Sequence, residues 1–276
     1  MKILVTGGDG QLGTALALQK SKHDIIFCTH EELDIEKRQS ISKAMTFHKP
    51  DVVINCAAWT DVDGCEEAPD KAFSANGYSV GILKECTEKF NSRLVQISTD
   101  YVFDGTKNSP YTENDLPNPL NIYGHSKLLG EQLAGEESLV IRTSWIFSRN
   151  GHNILQTILA LLEKDSELRF VNDQIGNPTY SYDLAAVILK LIDSSATGLF
   201  HVTNADSVSW YELAVKVAKL TGKNPERIVP IATEELEPQR MAQRPKNSAL
   251  ENKSLILKGC PPVRSYKEAL LDALKV

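Results

Sequence analysis

The chain has 276 residues, 42% of them apolar, and a formal net charge of −6, enough for one large α/β domain with a smaller lobe around a well-buried core. The acidic balance offers nothing to draw the whole molecule to nucleic acid or an anionic membrane, and no apolar run approaches the roughly 20 residues of a bilayer span. The five cysteines (Cys28, Cys56, Cys65, Cys86, Cys260) form no C-x-x-C and the six histidines are scattered, so a reducing cytoplasm is expected and no metal site is.

The first residues, Met-Lys-Ile-Leu-Val-Thr-Gly-Gly, run straight into a strand-turn pattern, with no room for a signal peptide. Residues 2–5 read as a strand, 10–20 as a helix and 24–28 as a second strand. Ile41, Ala44, Met45 and His48 mark a helix that Lys49-Pro50 ends. Residues 51–55 form a continuous apolar strand, as expected where both faces are covered. Val80, Leu83, Cys86 or Thr87, and Phe90 line another helical face. Residues 93–97 and 139–141 are further buried strands. Strands alternating with helices predict a doubly wound parallel sheet of the Rossmann type.

The second half is less regular. Residues 154–162 and 183–192 are helical, and 168–171 and 198–202 are strands. Ser209-Trp-Tyr-Glu212 and Ser265-Tyr-Lys-Glu268 are capping boxes that open two more helices. Residues 224–262 hold most of the late prolines and read as a loop-rich lobe. The expected division is a dinucleotide-binding domain over 1–150, with helices returning from about 181–195, and a discontinuous α/β lobe over 151–276.

Thr6-Gly7-Gly8-Asp9-Gly10-Gln11-Leu12-Gly13 follows the first strand and opens the first helix. Glycine permits the tight turn and lets backbone approach a pyrophosphate, while the helix start supplies N–H groups. The bland alternative is a plain glycine turn, but its place between strand and helix favours cofactor contacts at Gly7, Gly10, Gln11, Leu12 and Gly13. The second strand ends in Cys28-Thr29-His30, with no carboxylate before Glu31 and Glu32. Thr29 and His30 suit a 2′-phosphate, hence NADPH; Glu31 or Glu32 turned inward would admit NADH as well.

Tyr123 and Lys127 stand four apart, on one face of a helix. A phenol near a positive charge titrates lower than its usual value of about 10, which makes it a proton donor and acceptor near neutral pH. Y-x-x-x-K alone is common by chance. Here Ser98-Thr99 also ends a buried strand upstream, where a hydroxyl can hydrogen-bond a carbonyl. Glycine turn, strand-end Ser-Thr and Y-x-x-x-K, in this order, are the pattern of the short-chain dehydrogenase/reductases.

More specific segments accompany it: S-T-D-Y-V-F-D-G over 98–105, P-L-N-I-Y-G-H-S-K-L over 119–128, R-T-S-W over 142–145, N-C-A-A-W-T-D-V-D over 55–63, N-D-Q-I-G-N-P-T over 172–179 and R-P-K-N-S-A-L over 244–250. With these the chain resembles the dTDP-4-dehydrorhamnose reductase family of extended short-chain dehydrogenase/reductases. The resemblance implies reduction of a 4-keto nucleotide sugar for cell-surface polysaccharide synthesis. It makes Thr99, Tyr123 and Lys127 the catalytic set, with Thr99 polarising the keto oxygen and Tyr123 donating the proton. It places Asp34 and Ile35 near the adenine, Ala57, Ala58 and Thr60 along the cofactor, and Asn76 behind the site. Ser98, Asp100, Val102, Trp145, Asn153, Asn177 and Arg244 fall on the sugar-nucleotide side. Trp145 after an apolar strand reads equally as core, and Arg244 as a solvated loop charge, though a diphosphate favours a planar cation.

Some members of the family form a dimer bridged by Mg²⁺ on a first-helix glutamate. That position is Ala15 here, so a monomer or weak homodimer is expected. Three rivals remain: an epimerase or dehydratase on the same scaffold, although Thr99 is followed by Asp100 and Tyr101 and not by a pair of acids; a non-catalytic regulatory subunit resembling that of methionine adenosyltransferase; and a reductase of another 4-keto-6-deoxy sugar.

Overall fold

The computed structural model describes residues 1–164 and 166–275. Its first half alternates strand and helix: β1 (Lys2–Thr6), α1 (Gln11–Ala17), β2 (Asp24–Cys28), α2 (Arg38–His48), β3 (Val52–Asn55), α3 (Val62–Glu67), α4 (Pro69–Phe73), α5 (Ser79–Lys89), β4 (Arg93–Thr99), α6 (Ile122–Ala134) and β5 (Leu139–Thr143). The second half adds β6 (Ile146–Phe147), α7 (Ile154–Leu162), β7 (Leu168–Val171), β8 (Ile175–Gly176), β9 (Thr179–Tyr180), α8 (Ser181–Asp193), β10 (Gly198–His201), β11 (Val208–Ser209), α9 (Trp210–Leu220), β12 (Ile228–Ile231), α10 (Lys253–Leu257) and α11 (Tyr266–Leu274).

Six parallel strands form the central sheet in the order β10-β5-β4-β3-β1-β2. Side chains alternate between its faces. Ile3, Val5, Val52, Ile54, Val95, Ile97, Leu139 and Ile141 pack with residues of α1 and α8. Leu4, Val53, Leu94 and Val140 pack on the other face with residues of α2 and α5. Both faces are covered, which is why the strands read as unbroken apolar runs. The order reverses between β1 and β3, and that switch point opens a crevice at the carboxyl ends of the strands.

A second core joins α7, α9 and α11 with Leu168 of β7 and Ile228 of β12. Both capping boxes form: Glu212 N–H donates to Ser209 Oγ at 3.1 Å and Ser209 N–H to Glu212 Oε2 at 2.8 Å, and Ser265 N–H donates to Glu268 Oε2 at 3.1 Å. Three expectations are corrected. The first helix stops at Ala17, short of residue 20. β10 joins the central sheet alongside β5, so the return from the lobe extends beyond α8. The segment expected to be loop contains β12, paired in parallel with β7 despite Pro230. A two-strand ribbon leaves one edge of each strand free, where a residue without N–H costs no ladder bond.

Candidate active site

The turn after β1 is packed too tightly for side chains. Gly7 has φ +60°, and a Cβ there would lie 3.0 Å from the Ala57 backbone; one on Gly8 would lie 2.8 Å from Phe27 Cβ, and one on Gly13 2.5 Å from Gly8 O. No side chain caps α1 at Gly10, so its first N–H groups remain available to an anion. A cleft of about 530 Å³ runs from this turn past Cys56, Ala58 and Thr60, over Ile97 and Ser98, to Tyr123 and Lys127. A backbone-lined turn opening into a long cleft at the switch point fits a dinucleotide pyrophosphate. Gln11 and Leu12 line the cleft, and Gln11 Oε1 accepts from Ser148 Oγ at 3.2 Å.

Helix α6, which carries Tyr123 and Lys127, is anchored at its start. Asn121 Oδ1 accepts from Gly124 N–H at 2.8 Å, Asn121 Nδ2 donates to Gln243 O at 2.7 Å, and Glu66 accepts from Ile122 N–H at 2.8 Å. Gly124 packs so close to Tyr101 O, and Gly130 to Asn76 O, that neither could carry a side chain without displacing backbone. Lys127 is 4% exposed and its Nζ donates to Ile97 O at 2.6 Å. Burial pulls its ammonium down to about 8, with Glu131 and Cys56 opposing. Burial raises the Tyr123 phenol above its usual range, with the Thr99 hydroxyl opposing. This corrects the expectation of a phenol lowered by lysine: desolvation dominates, and Asp100, Tyr101 and Cys65 push the same way. At neutral pH the pair is a neutral phenol beside an ammonium, the form a proton donor needs.

Thr99 Oγ1 donates to Asp100 Oδ1 at 3.1 Å and accepts from Tyr101 N–H at 3.2 Å. Asp100 is 2% exposed, and Ser248 Oγ donates to its Oδ2 at 2.5 Å. Burial pushes Asp100 up to about 7, with the Ser248 and Thr99 hydroxyls opposing. The strand-end hydroxyl is therefore wired to a residue of the C-terminal segment.

Several residues expected to touch ligand have their polar groups engaged within the protein or are packed in its core. Val102 is fully buried against Phe103, Tyr111 and Leu250. Asn153 caps α7, accepting from Leu155 and Gln156 N–H, while its Nδ2 donates to Ser148 O and Gly151 O. Asn177 accepts from Leu250 N–H at 2.7 Å and donates to Asp206 O at 3.0 Å. Arg244 forks onto Asp63 at 2.5 and 2.7 Å and onto Ala242 O at 2.6 Å, holding the Asp63 carboxyl far below its usual range. It is neither a solvated loop charge nor a cation free for a diphosphate. Ser98 lines the cleft, but its hydroxyl donates to Glu131 Oε1 at 2.5 Å. Trp145 is half-buried at φ +47°, stacked on Trp210 with centroids 3.4 Å apart and pressed against Gly176.

On the cofactor side, Asn76 Oδ1 accepts from Trp59 N–H at 2.8 Å and its Nδ2 donates to Trp59 O at 2.9 Å and Ser126 Oγ at 3.1 Å. It pins the loop after β3 to α6 from behind. Ala57 N–H donates to Thr6 Oγ1 at 3.3 Å. Thr29, His30, Asp34 and Ile35 stand beyond the cleft lining. Thr29 N–H and Oγ1 donate to Glu32 Oε2 at 2.8 and 3.2 Å, so a carboxylate already occupies the end of β2. Asp34 pairs with Lys37 at 2.9 Å and Ile35 is buried. The far wall, Ser148–His152 with Tyr180 and Tyr182, was missed. Its residues lie in a loop and a helix start just after the segments 142–145 and 172–179, and carry no local signal of their own.

Against known proteins, the family model described as the RmlD substrate binding domain matches residues 1–276. The chain is 39% identical to the spore coat polysaccharide biosynthesis protein SpsK of Bacillus subtilis, over 99% of this chain and 97% of that one. Among solved structures, a dTDP-4-dehydrorhamnose reductase of Clostridium acetobutylicum superposes with TM-score 0.95 at 40% identity, covering 100% of this chain and 99% of that one. The dTDP-4-dehydrorhamnose reductase of Bacillus anthracis, solved in complex with NADP, gives 0.94 at 35% identity over 99% and 98%. With the glycine cradle and the Tyr123–Lys127 pair in place and a family match running its whole length, the chain belongs to the RmlD substrate binding domain family, that of the dTDP-4-dehydrorhamnose reductases.

Proposed function

We propose that this protein is an NADPH-dependent oxidoreductase that reduces the 4-keto group of dTDP-4-dehydro-6-deoxy-L-mannose to give dTDP-L-rhamnose, in the cytoplasm, for a cell-surface polysaccharide. The observation that carries this reading is the half-buried Tyr123 and the buried Lys127, one helical turn apart on α6, both lining the end of a glycine-lined cleft. NADPH, when bound, supplies the hydride. Tyr123 gives its proton to the keto oxygen as negative charge develops there, and Lys127 stabilises the phenolate left behind. Asp100, at about 7, is partly in its acid form near neutrality. In that form it donates back to Thr99 and frees the Thr99 proton for the keto oxygen. Asn76, Asn153 and Asn177 hold the walls in place, and the lobe built on α7, α9 and α11 covers the nucleotide sugar.

Ala15, buried in the sheet core, cannot ligate a metal, so the protein is proposed to be a monomer or a weakly associating homodimer. The deciding experiment follows NADPH consumption with dTDP-4-dehydrorhamnose made in situ, with NADH in parallel. Formation of dTDP-rhamnose supports the reading. Turnover only with another 4-keto-6-deoxy sugar moves the substrate and keeps the reaction. Binding of NADPH without turnover on any such sugar overturns the enzymatic reading in favour of a regulatory subunit.

A further inference from the structure

Glu131 stands one turn beyond Lys127 on α6, on the same helical face, its side chain 8% exposed. A buried carboxylate is costly unless it is held. This one is held from two strands. Arg142 of β5 grips it with two bonds, Nε to Oε1 at 2.9 Å and Nη2 to Oε2 at 2.7 Å. Ser98 of β4 donates to Oε1. Ser98 and Arg142 are register partners across β4 and β5, so both side chains rise from one face of the sheet beneath α6. Lys127 reaches the same strand, with the Ile97 carbonyl as its acceptor. A single neutral acceptor does not offset the burial of an ammonium.

We propose that Glu131 is a positioning residue for Lys127: its clamped carboxylate keeps the lysine charged at working pH and so keeps a positive charge beside Tyr123. The functional meaning rests on the reductase reading; the electrostatics do not. The groups around Lys127 leave this role to Glu131. The thiol of Cys56, after β3, is pushed up to about 12 by burial and is neutral. His201 of β10, register partner of Arg142, is pulled down to about 3 by burial and is neutral too. Arg142 is spent on Glu131, and Asp100 bears on Tyr123. Among the described residues, Glu131 is the carboxylate that opposes the effect of burial on Lys127.

The test is an NMR titration of the intact protein carrying lysine labelled with carbon-13 at Cε, following Lys127 in wild type and Glu131→Gln. Loss of the carboxylate should lower the Lys127 midpoint by about one pH unit. The ammonium is lost as pH rises, so the alkaline limb of kcat/KM should move down by the same interval. Glu131→Asp, which keeps the charge, should restore most of both. Glu131→Gln strands the buried Arg142 guanidinium; E131Q/R142Q removes both charges, and its Lys127 midpoint should fall as well if the single variant does not fold. An unmoved midpoint in a variant that melts like wild type would overturn the proposal and make Glu131 a packing residue. A lowered midpoint in a protein that reduces no keto sugar would support it and overturn the reductase reading.

Discussion

The glycine turn of residues 7–13 and the polar residues of the second half were both read as ligand contacts, and they differ in a way that separates a good signal from a poor one. In the turn, fold and function impose one constraint. Gly7, Gly8 and Gly13 are needed because backbone lies where a Cβ would go, and the same bare backbone leaves its N–H groups open to an anion. Asn153, Asn177 and Arg244 instead satisfy their donors and acceptors within the protein. A buried polar side chain must find partners somewhere, and protein is the commonest partner. A backbone motif thus reports its ligand, whereas a polar side chain reports only that it has been satisfied.

The largest expected effect lies at the chemistry. Tyr123→Phe removes the proton and leaves the ring, so turnover should fall by about 10³-fold while NADPH affinity, followed by nucleotide fluorescence, stays within about threefold. Wild-type turnover would remove Tyr123 as the acid. Next comes the cradle. Gly13→Ala places a methyl 2.5 Å from Gly8 O, backbone that can yield only by opening the turn. NADPH affinity should drop by about 10- to 100-fold. An alanine tolerated there at full affinity would mean that the turn does not hold the cofactor.

Asn177→Ala tests the other side of the comparison. It strands the Leu250 N–H and the Asp206 carbonyl, which should cost about 1–3 kcal/mol and several degrees of melting temperature, with KM for the sugar nucleotide nearly unchanged. A normal melt with a raised KM would return Asn177 to the ligand.

The sheet was legible because each strand is an apolar run bounded by a turn signal, and Tyr123–Lys127 because helical spacing alone puts both on one face. β12 escaped because Pro230 breaks a strand pattern, and only its place in a two-strand ribbon excuses it. The partners of Asn177 and Arg244 escaped for a different reason. Arg244 reaches Asp63 across 181 positions, a pairing that exists only once the chain is folded. The fall in the Lys127 pKa is of the same kind: spacing places the lysine, but burial sets its charge.

The smallest effect concerns the end of β2, where the sequence pointed to a 2′-phosphate and the structure puts Glu32 on the Thr29 amide and hydroxyl. Ribose recognition occurs at this strand end, and a carboxylate there repels a phosphate. Glu32→Gln keeps an acceptor for Thr29 and removes the charge. The Glu32 carboxylate is exposed, so solvent screens it and its influence is about 1 kcal/mol or less. The ratio of kcat/KM for NADPH over NADH should therefore rise by about two- to fivefold. An unchanged ratio would make Glu32 a cap of the turn and nothing more, while a rise caused by weaker NADH use alone would mean that Glu32 accepts a hydrogen bond from the ribose 2′-hydroxyl and sets the balance between the two cofactors.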